Sequence, residues 1–128
     1  MDYQVNAAKF AEKHGIKLSV IGEPEYKRYW ETDKERRYVF KLRLSRNGKK
    51  YTFTFGQSIN EGATPPNMYD VLSCITKSDP ETFENFCSEF SYDTDSRTAE
   101  RTYKVVCKEY AATVRLFEDI IEELYEII

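Results

Sequence analysis

Cysteine and histidine are scarce in this chain of 128 residues, which carries three Cys and one His. The Cys count is odd, there is no C-x-x-C pair, and Cys74, Cys87 and Cys107 are separated by 13 and 20 residues. A disulfide framework is therefore not expected, and apolar neighbours make all three read as reduced core thiols. A zinc site lacks its ligand knuckles, since His14 is the sole imidazole. A Cys–His nucleophile pair would require that same His to meet a buried thiol. No metal, no cofactor and no enzymatic activity are expected. Long apolar runs are missing too: none approaches the roughly 20 residues that span a bilayer, so no membrane partner is expected. Met1-Asp2-Tyr3-Gln4 has neither the basic nor the apolar segment of a signal peptide, which points to the cytoplasm.

Aromatic residues and charge, by contrast, are abundant. Hydrophobic residues make up 41% and aromatics 15%, which places the chain outside disordered compositions despite 32% charged residues. The length fits one domain over residues 1–128. Its charge is divided: residues 26–50 hold ten Lys or Arg against three acids, whereas residues 79–128 hold five against thirteen. A basic half over 1–58 is thus expected beside an acidic helical half over 67–128.

Hydrophobic spacing predicts the elements. Ala7, Ala8, Phe10 and Ala11 mark a helix from Val5 to His14, stopped by Gly15. Ile16, Leu18 and Val20 alternate with polar residues up to Gly22 and Pro24, a short strand. Two further alternating runs flank Asn47-Gly48, the signature of a type I′ hairpin. That register sets Leu44 against Tyr51, Leu42 against Phe53 and Phe40 against Phe55, and turns Lys41, Arg43, Ser45, Lys50, Thr52 and Thr54 to the other face. A loop follows over 57–66. Met68, Val71, Leu72 and Ile75 then read as a helix, and Ser78-Asp79-Pro80-Glu81 as the cap of the next, whose stripe is Phe83, Phe86, Cys87 and Phe90. From Asp95 or Ser96 onward, Ala99, Tyr103, Cys107, Tyr110, Val114, Phe117, Ile121, Leu124 and Ile128 repeat in steps of four and three: one long helix or two in line. About four heptads of such a stripe also suit a homodimeric coiled coil. The fold class is α+β: an N-terminal helix, a three-stranded antiparallel sheet and three C-terminal helices on one sheet face.

Three groups of residues invite a functional reading. Asp93-x-Asp95-x-Arg97 opens like a calcium loop, but Arg97, Thr98 and Lys104 stand where a ligand oxygen, Gly and an acid are needed. A turn and helix cap, or an Arg97-centred partner contact, remain. Lys41, Arg43 and Lys50 on the hairpin, with Lys27, Arg28, Tyr29, Trp30, Arg36 and Arg37 in the preceding loop, combine phosphate-neutralising charge with stacking aromatics. The alternative is a sheet face kept soluble by charge. Asp119, Glu122, Glu123 and Glu126 form an acidic stripe that either imitates a row of phosphates or is the wet side of a helix. The order α-β-β-β-α is also similar to that of the double-stranded RNA-binding domain, though its Lys-rich second helix start is replaced by Pro65-Pro66-Asn67-Met68-Tyr69-Asp70.

One longer string adds a resemblance. Tyr69-Asp70-Val71-Leu72-x-Cys74-Ile75-x-Lys77, Asp79-Pro80-x-Thr82-Phe83-x-x-Phe86-Cys87-x-x-Phe90 and Tyr92-Asp93-x-Asp95-Ser96-Arg97-x-Ala99-Glu100 together resemble a widespread group of small phage and prophage proteins, over about residues 69–105. That group has no agreed enzymatic activity, so the resemblance implies no catalytic residue. It implies a mobile-element accessory protein made in a bacterial cytoplasm. By analogy with small, charge-divided inhibitors of host defence, among them anti-CRISPR proteins, the expected partner is a host defence complex such as a CRISPR effector. The alternative is a nucleic-acid-binding accessory factor of phage replication or recombination.

Overall fold

The computed structural model describes residues 2–57 and 63–128; within the expected 57–66 loop, residues 58–62 lie outside them. Among the described residues the order is α1 (Tyr3–His14), β1 (Lys17–Lys27), β2 (Arg37–Arg46), β3 (Lys49–Gln57), α2 (Met68–Thr76), α3 (Phe83–Phe90), α4 (Arg97–Phe117) and α5 (Ile121–Ile127). The α+β expectation holds, with the final helical segment divided in two. α1 starts where Asp2 accepts hydrogen bonds from the backbone N–H groups of Gln4 and Val5, and ends at Gly15 in the left-handed region.

The sheet is antiparallel in the order β1-β2-β3. Asn47 (φ 52°) and Gly48 (φ 78°) form the hairpin turn, and the register pairs Leu44 with Tyr51, Leu42 with Phe53 and Phe40 with Phe55, as the alternation requires. β1 is longer than expected. It passes through Gly22 and Pro24 by a register shift between Ile21 and Glu25 and pairs again as far as Lys27 with Arg37. Because β1 is an edge strand, a proline there removes no central ladder bond, and the irregularity absorbs the extra residues.

The main core lies between the inner sheet face and the helices. Ala7, Phe10 and Ala11 of α1, Phe40, Leu42 and Leu44 of β2, Val71, Leu72 and Ile75 of α2, Leu116 and Phe117 of α4, Ile120 of the following turn and Leu124 of α5 are all buried in it. A smaller second core joins Phe86, Cys87, Ala99 and Val106, with Trp30, Phe83, Tyr92 and Tyr103 packed against them. Only Cys87 of the three cysteines is a core thiol; Cys107 is half-buried and Cys74 exposed.

Two helix boundaries differ from expectation for identifiable reasons. Ser78 does not open α3: its hydroxyl donates back to the Ile75 carbonyl at 2.9 Å, closing the end of α2. Asp79 accepts the Glu81 N–H in a tight turn, and Thr82 caps α3 by accepting the Asn85 N–H at 3.1 Å. The second difference concerns the last stripe. The buried line runs through Ala99, Thr102, Val106, Thr113, Leu116, Phe117, Ile120 and Leu124, while Tyr103, Cys107, Tyr110 and Val114 are half-buried. Thr102 and Thr113 sit in the core because each hydroxyl donates to the carbonyl four residues back, of Thr98 and Glu109 respectively, leaving only a methyl to pack. At 118–120 the chain turns, and α5 packs on α1 and α2. It does not continue α4 in line, since the turn directs it against the N-terminal helix and α2. The uninterrupted stripe needed for a coiled-coil dimer is therefore not formed.

The turn is held by Arg46. Its side chain is on the inner face, beyond Leu44, and is 8% exposed. One guanidinium nitrogen donates to the Leu116 carbonyl (3.1 Å) and to Asp119 (2.6 Å), and the other donates to the second Asp119 oxygen (2.7 Å). The Leu116 carbonyl lies in the last turn of α4, where intrahelical donors run out. The Arg46 guanidinium holds the Asp119 carboxyl down at about 2, from 3.8. A depressed carboxyl contributes stability that is present above its unfolded value and lost as pH falls through the folded one. Acid titration of thermal stability is thus expected to show the wild type losing its advantage over Asp119→Asn between about pH 4 and pH 2, the two curves converging at the acid end. Parallel curves across that window would contradict the pairing.

Candidate functional site: the outer sheet face

Strand pairing places the hairpin cations on a common surface. Ser45 lies between Lys17 and Lys50, Arg43 between Ser19 and Thr52, and Lys41 between Ile21 and Thr54. Rows on one face repeat about every 7 Å along strands about 4.8 Å apart. Four cations, Lys17, Lys41, Arg43 and Lys50, therefore share three neighbouring rows, interspersed with four hydroxyls, Ser19, Ser45, Thr52 and Thr54, and no carboxylate. All four are exposed, and none enters an ion pair among the described residues. Beyond the irregularity in β1, Glu25 continues this side and is matched by Lys27 at 3.3 Å. Lys17 was not singled out from sequence; its place follows from the pairing of β1 with β2.

The aromatic loop expected to extend this face is used internally. Tyr29 lies over β3, its hydroxyl donating to the Thr54 carbonyl at 2.7 Å. Its ring occupies the place of a side chain at Gly56, where a Cβ would come within 2.8 Å of it. The ring thus covers part of an edge strand that would otherwise be open to pairing. Burial pushes the Tyr29 phenol well above its ordinary value. Trp30 is half-buried, edge-on to Phe90 at 5.2 Å and tilted against Phe86 at 6.0 Å. Its backbone N–H donates to Asp33, and the Asp33 N–H to the Trp30 carbonyl, closing the turn. Glu31 receives a two-pronged contact from Arg101 of α4 at 2.6 and 3.0 Å, and Thr32 and Tyr92 hydroxyls meet at 2.8 Å. Residues 29–33 are a clasp joining the sheet to the second core. Tyr29 and Trp30 are half-buried in that role and do not stand free on the outer sheet face. Lys27 belongs to β1 and Arg37 to β2 rather than to the loop. Arg36 is exposed, with its guanidinium 6.0 Å from the centre of the Tyr26 ring.

The acidic stripe is likewise divided. Asp119 is held by Arg46, and Glu123 by Lys13 and His14, both at 2.7 Å. Those two partners, Lys13 first, pull the Glu123 carboxyl below its ordinary value. Glu122 and Glu126 alone of the four are exposed without an ion pair among the described residues. A continuous imitation of phosphates is not present.

The Asp93 to Arg97 stretch is a turn and a cap. Asp93 accepts the Asp95 N–H at 2.9 Å, and its carbonyl accepts the Ser96 N–H. Ser96, rather than Asp95, caps α4 by accepting the Ala99 N–H at 3.1 Å. Asp95 and Arg97 are exposed beside it. Among the described residues no three His, Cys, Asp or Glu side chains converge on a possible metal, and no helix is long and apolar enough to cross a membrane.

Compared with known protein families, curated proteins and solved structures, the chain finds no match in any of the three.

The contrast between clasp and sheet face has a measurable consequence. Trp30→Ala is expected to cost about 2 kcal/mol, less than the loss of a fully buried Trp because the ring is half-covered. Lys41→Glu with Arg43→Glu is expected to change stability by no more than about 0.5 kcal/mol each, as for surface sites. Chemical denaturation of the three proteins checks both; a stable Trp30→Ala would remove the clasp.

Proposed function

We propose that this chain is a non-enzymatic binding protein that docks the outer face of its sheet onto a polyanionic surface, and in a phage setting inhibits a bacterial CRISPR effector by occluding it. The observation that carries this reading is the set of four cations, Lys17, Lys41, Arg43 and Lys50, without ion-pair partners among the described residues, on the outer sheet face. Asp119 and Glu123 of the acidic stripe are engaged within the fold, so this face holds the densest free charge of one sign among the candidate sites. Rigid strands fix the spacing of those charges, which favours a matched acidic or nucleic-acid-bearing surface over wrong partners and speeds encounter. The naming of a defence complex rests on the resemblance of residues 69–105 to phage proteins and on analogy in size and charge.

A second reading, direct binding of phage or host nucleic acid in replication or recombination, is favoured by the same cations. The face has no aromatic side chain on its three central rows, so such binding would run through phosphates and not through base stacking.

Affinity capture from bacterial lysates that carry CRISPR effectors, with and without nuclease, tests both. The inhibitor reading expects an effector retained after nuclease by the wild type and depleted about tenfold, the equivalent of 1.4 kcal/mol, in Lys41→Glu/Arg43→Glu. Partners released by nuclease would favour the second reading, in which the reversal would also lower the salt dependence of binding by about 0.9 for each phosphate no longer neutralised. Equal capture by both proteins would remove the sheet face as the site.

A further inference from the structure

On the opposite side of the sheet, bounded by β3, α2 and α4, lies a cavity of ≈ 140 Å³. That is close to the space a benzene molecule fills, and below the volume of sites for larger ligands. Trp30, Tyr51, Phe53 and Tyr110 contribute to its walls, with Cys74 and Glu109 among the polar residues that reach it. Tyr51 and Phe53 stack on one another with nearly parallel rings, 5.4 Å between centroids, and make one wall aromatic.

Glu109 is the one ionisable acid or base of charged type in this lining. It is half-buried, and its carboxylate enters no hydrogen bond or ion pair among the described residues; only its backbone carbonyl is used, by Tyr51 and Thr113. Burial alone raises its carboxyl above the ordinary range, with no positive charge opposing the effect. A half-buried carboxylate without a partner is costly, and a cation that entered the cavity would relieve that cost while its body covered the aromatic wall. The neighbouring sulfur does not make the site reactive. The surrounding protein first, and then the Glu109 charge, push the Cys74 thiol up, so it is a poor source of thiolate.

We propose that this cavity binds an organic cation, an ammonium or guanidinium on a small apolar body, with Glu109 as its counter-ion and Tyr51 and Phe53 in the aromatic wall against which that body packs. The same chemistry is carried by a free small amine and by an Arg or Lys side chain of a peptide. None of the four outer-face cations lines the cavity, so either assignment stands or falls alone.

Trp30 is the chain's only tryptophan and lies in the cavity wall, so its emission reports occupancy. Titration of the whole protein with benzylammonium at neutral pH is expected to give a saturable change, stronger than that from the uncharged isostere benzyl alcohol. Glu109→Gln is expected to weaken benzylammonium about tenfold while leaving benzyl alcohol nearly unchanged, since a hydrogen-bonding amide keeps the shape and loses the charge. Saturation transfer from the Tyr51 and Phe53 rings to benzylammonium on the wild type locates the ligand without any substitution. An Arg-containing peptide that binds more tightly than benzylammonium would identify a partner side chain as the natural occupant, and the reverse a free amine. Equal binding of amine and alcohol, an unchanged affinity in Glu109→Gln, or no transfer from those rings would overturn the proposal.

Discussion

The contact between Arg46 and the end of α4 governs how the two halves of this chain meet. A guanidinium at the tip of the hairpin satisfies a helix-terminal carbonyl and grips Asp119 in the turn that follows. The three bonds leave only Nε of Arg46 without a partner among the buried side-chain nitrogens and oxygens of the described residues. Burying such a charge is unfavourable unless its partners are well placed. The geometry of that turn is therefore tied to the position of the hairpin, and α5 is directed onto α1 instead of continuing along α4. Loss of the pair would free the helix direction as well as the charge.

The clasp of residues 29–33 plays the equivalent role at the other end of the sheet. It ties β3 to the second core by a ring over Gly56, an indole against two phenylalanines and the Glu31–Arg101 pair. Between these two attachments the inner face of the sheet is packed and the outer face is left bare. The functional reading follows from this division. Tyr29, Trp30, Asp119 and Glu123, which look free in the sequence, are bound within the fold, and a basic surface carried by rigid strands remains unmatched among the described residues.

Much of this was legible in the sequence wherever the determining interactions are local. Asn47-Gly48 and its flanking alternation specify the hairpin register because a shift of one residue would turn Phe40, Leu42 and Leu44 to solvent. Arg46 carried a signal that was overlooked: it continues the inward alternation of residues 40, 42 and 44, so a charge was due on the core side and required a partner there. Trp30 and Glu31 carried no such signal, since their partners lie 56 to 70 positions away, in Phe86, Phe90 and Arg101. The last stripe was displaced because Thr102 and Thr113 look polar in sequence, and become core residues only once the helix supplies acceptors for their hydroxyls. Lys17 joined the site through strand pairing alone.

Amine-reactive labelling, read residue by residue with and without a heparin oligosaccharide as polyanion, tests the central claim most directly. The account expects Lys17, Lys41 and Lys50 to react freely in the isolated protein and to become protected together when the polyanion binds. Lys13, held by Glu123, and Lys108 on α4 should react alike in both states. Protection that fell on the helical lysines, or on none of the three sheet lysines, would contradict it.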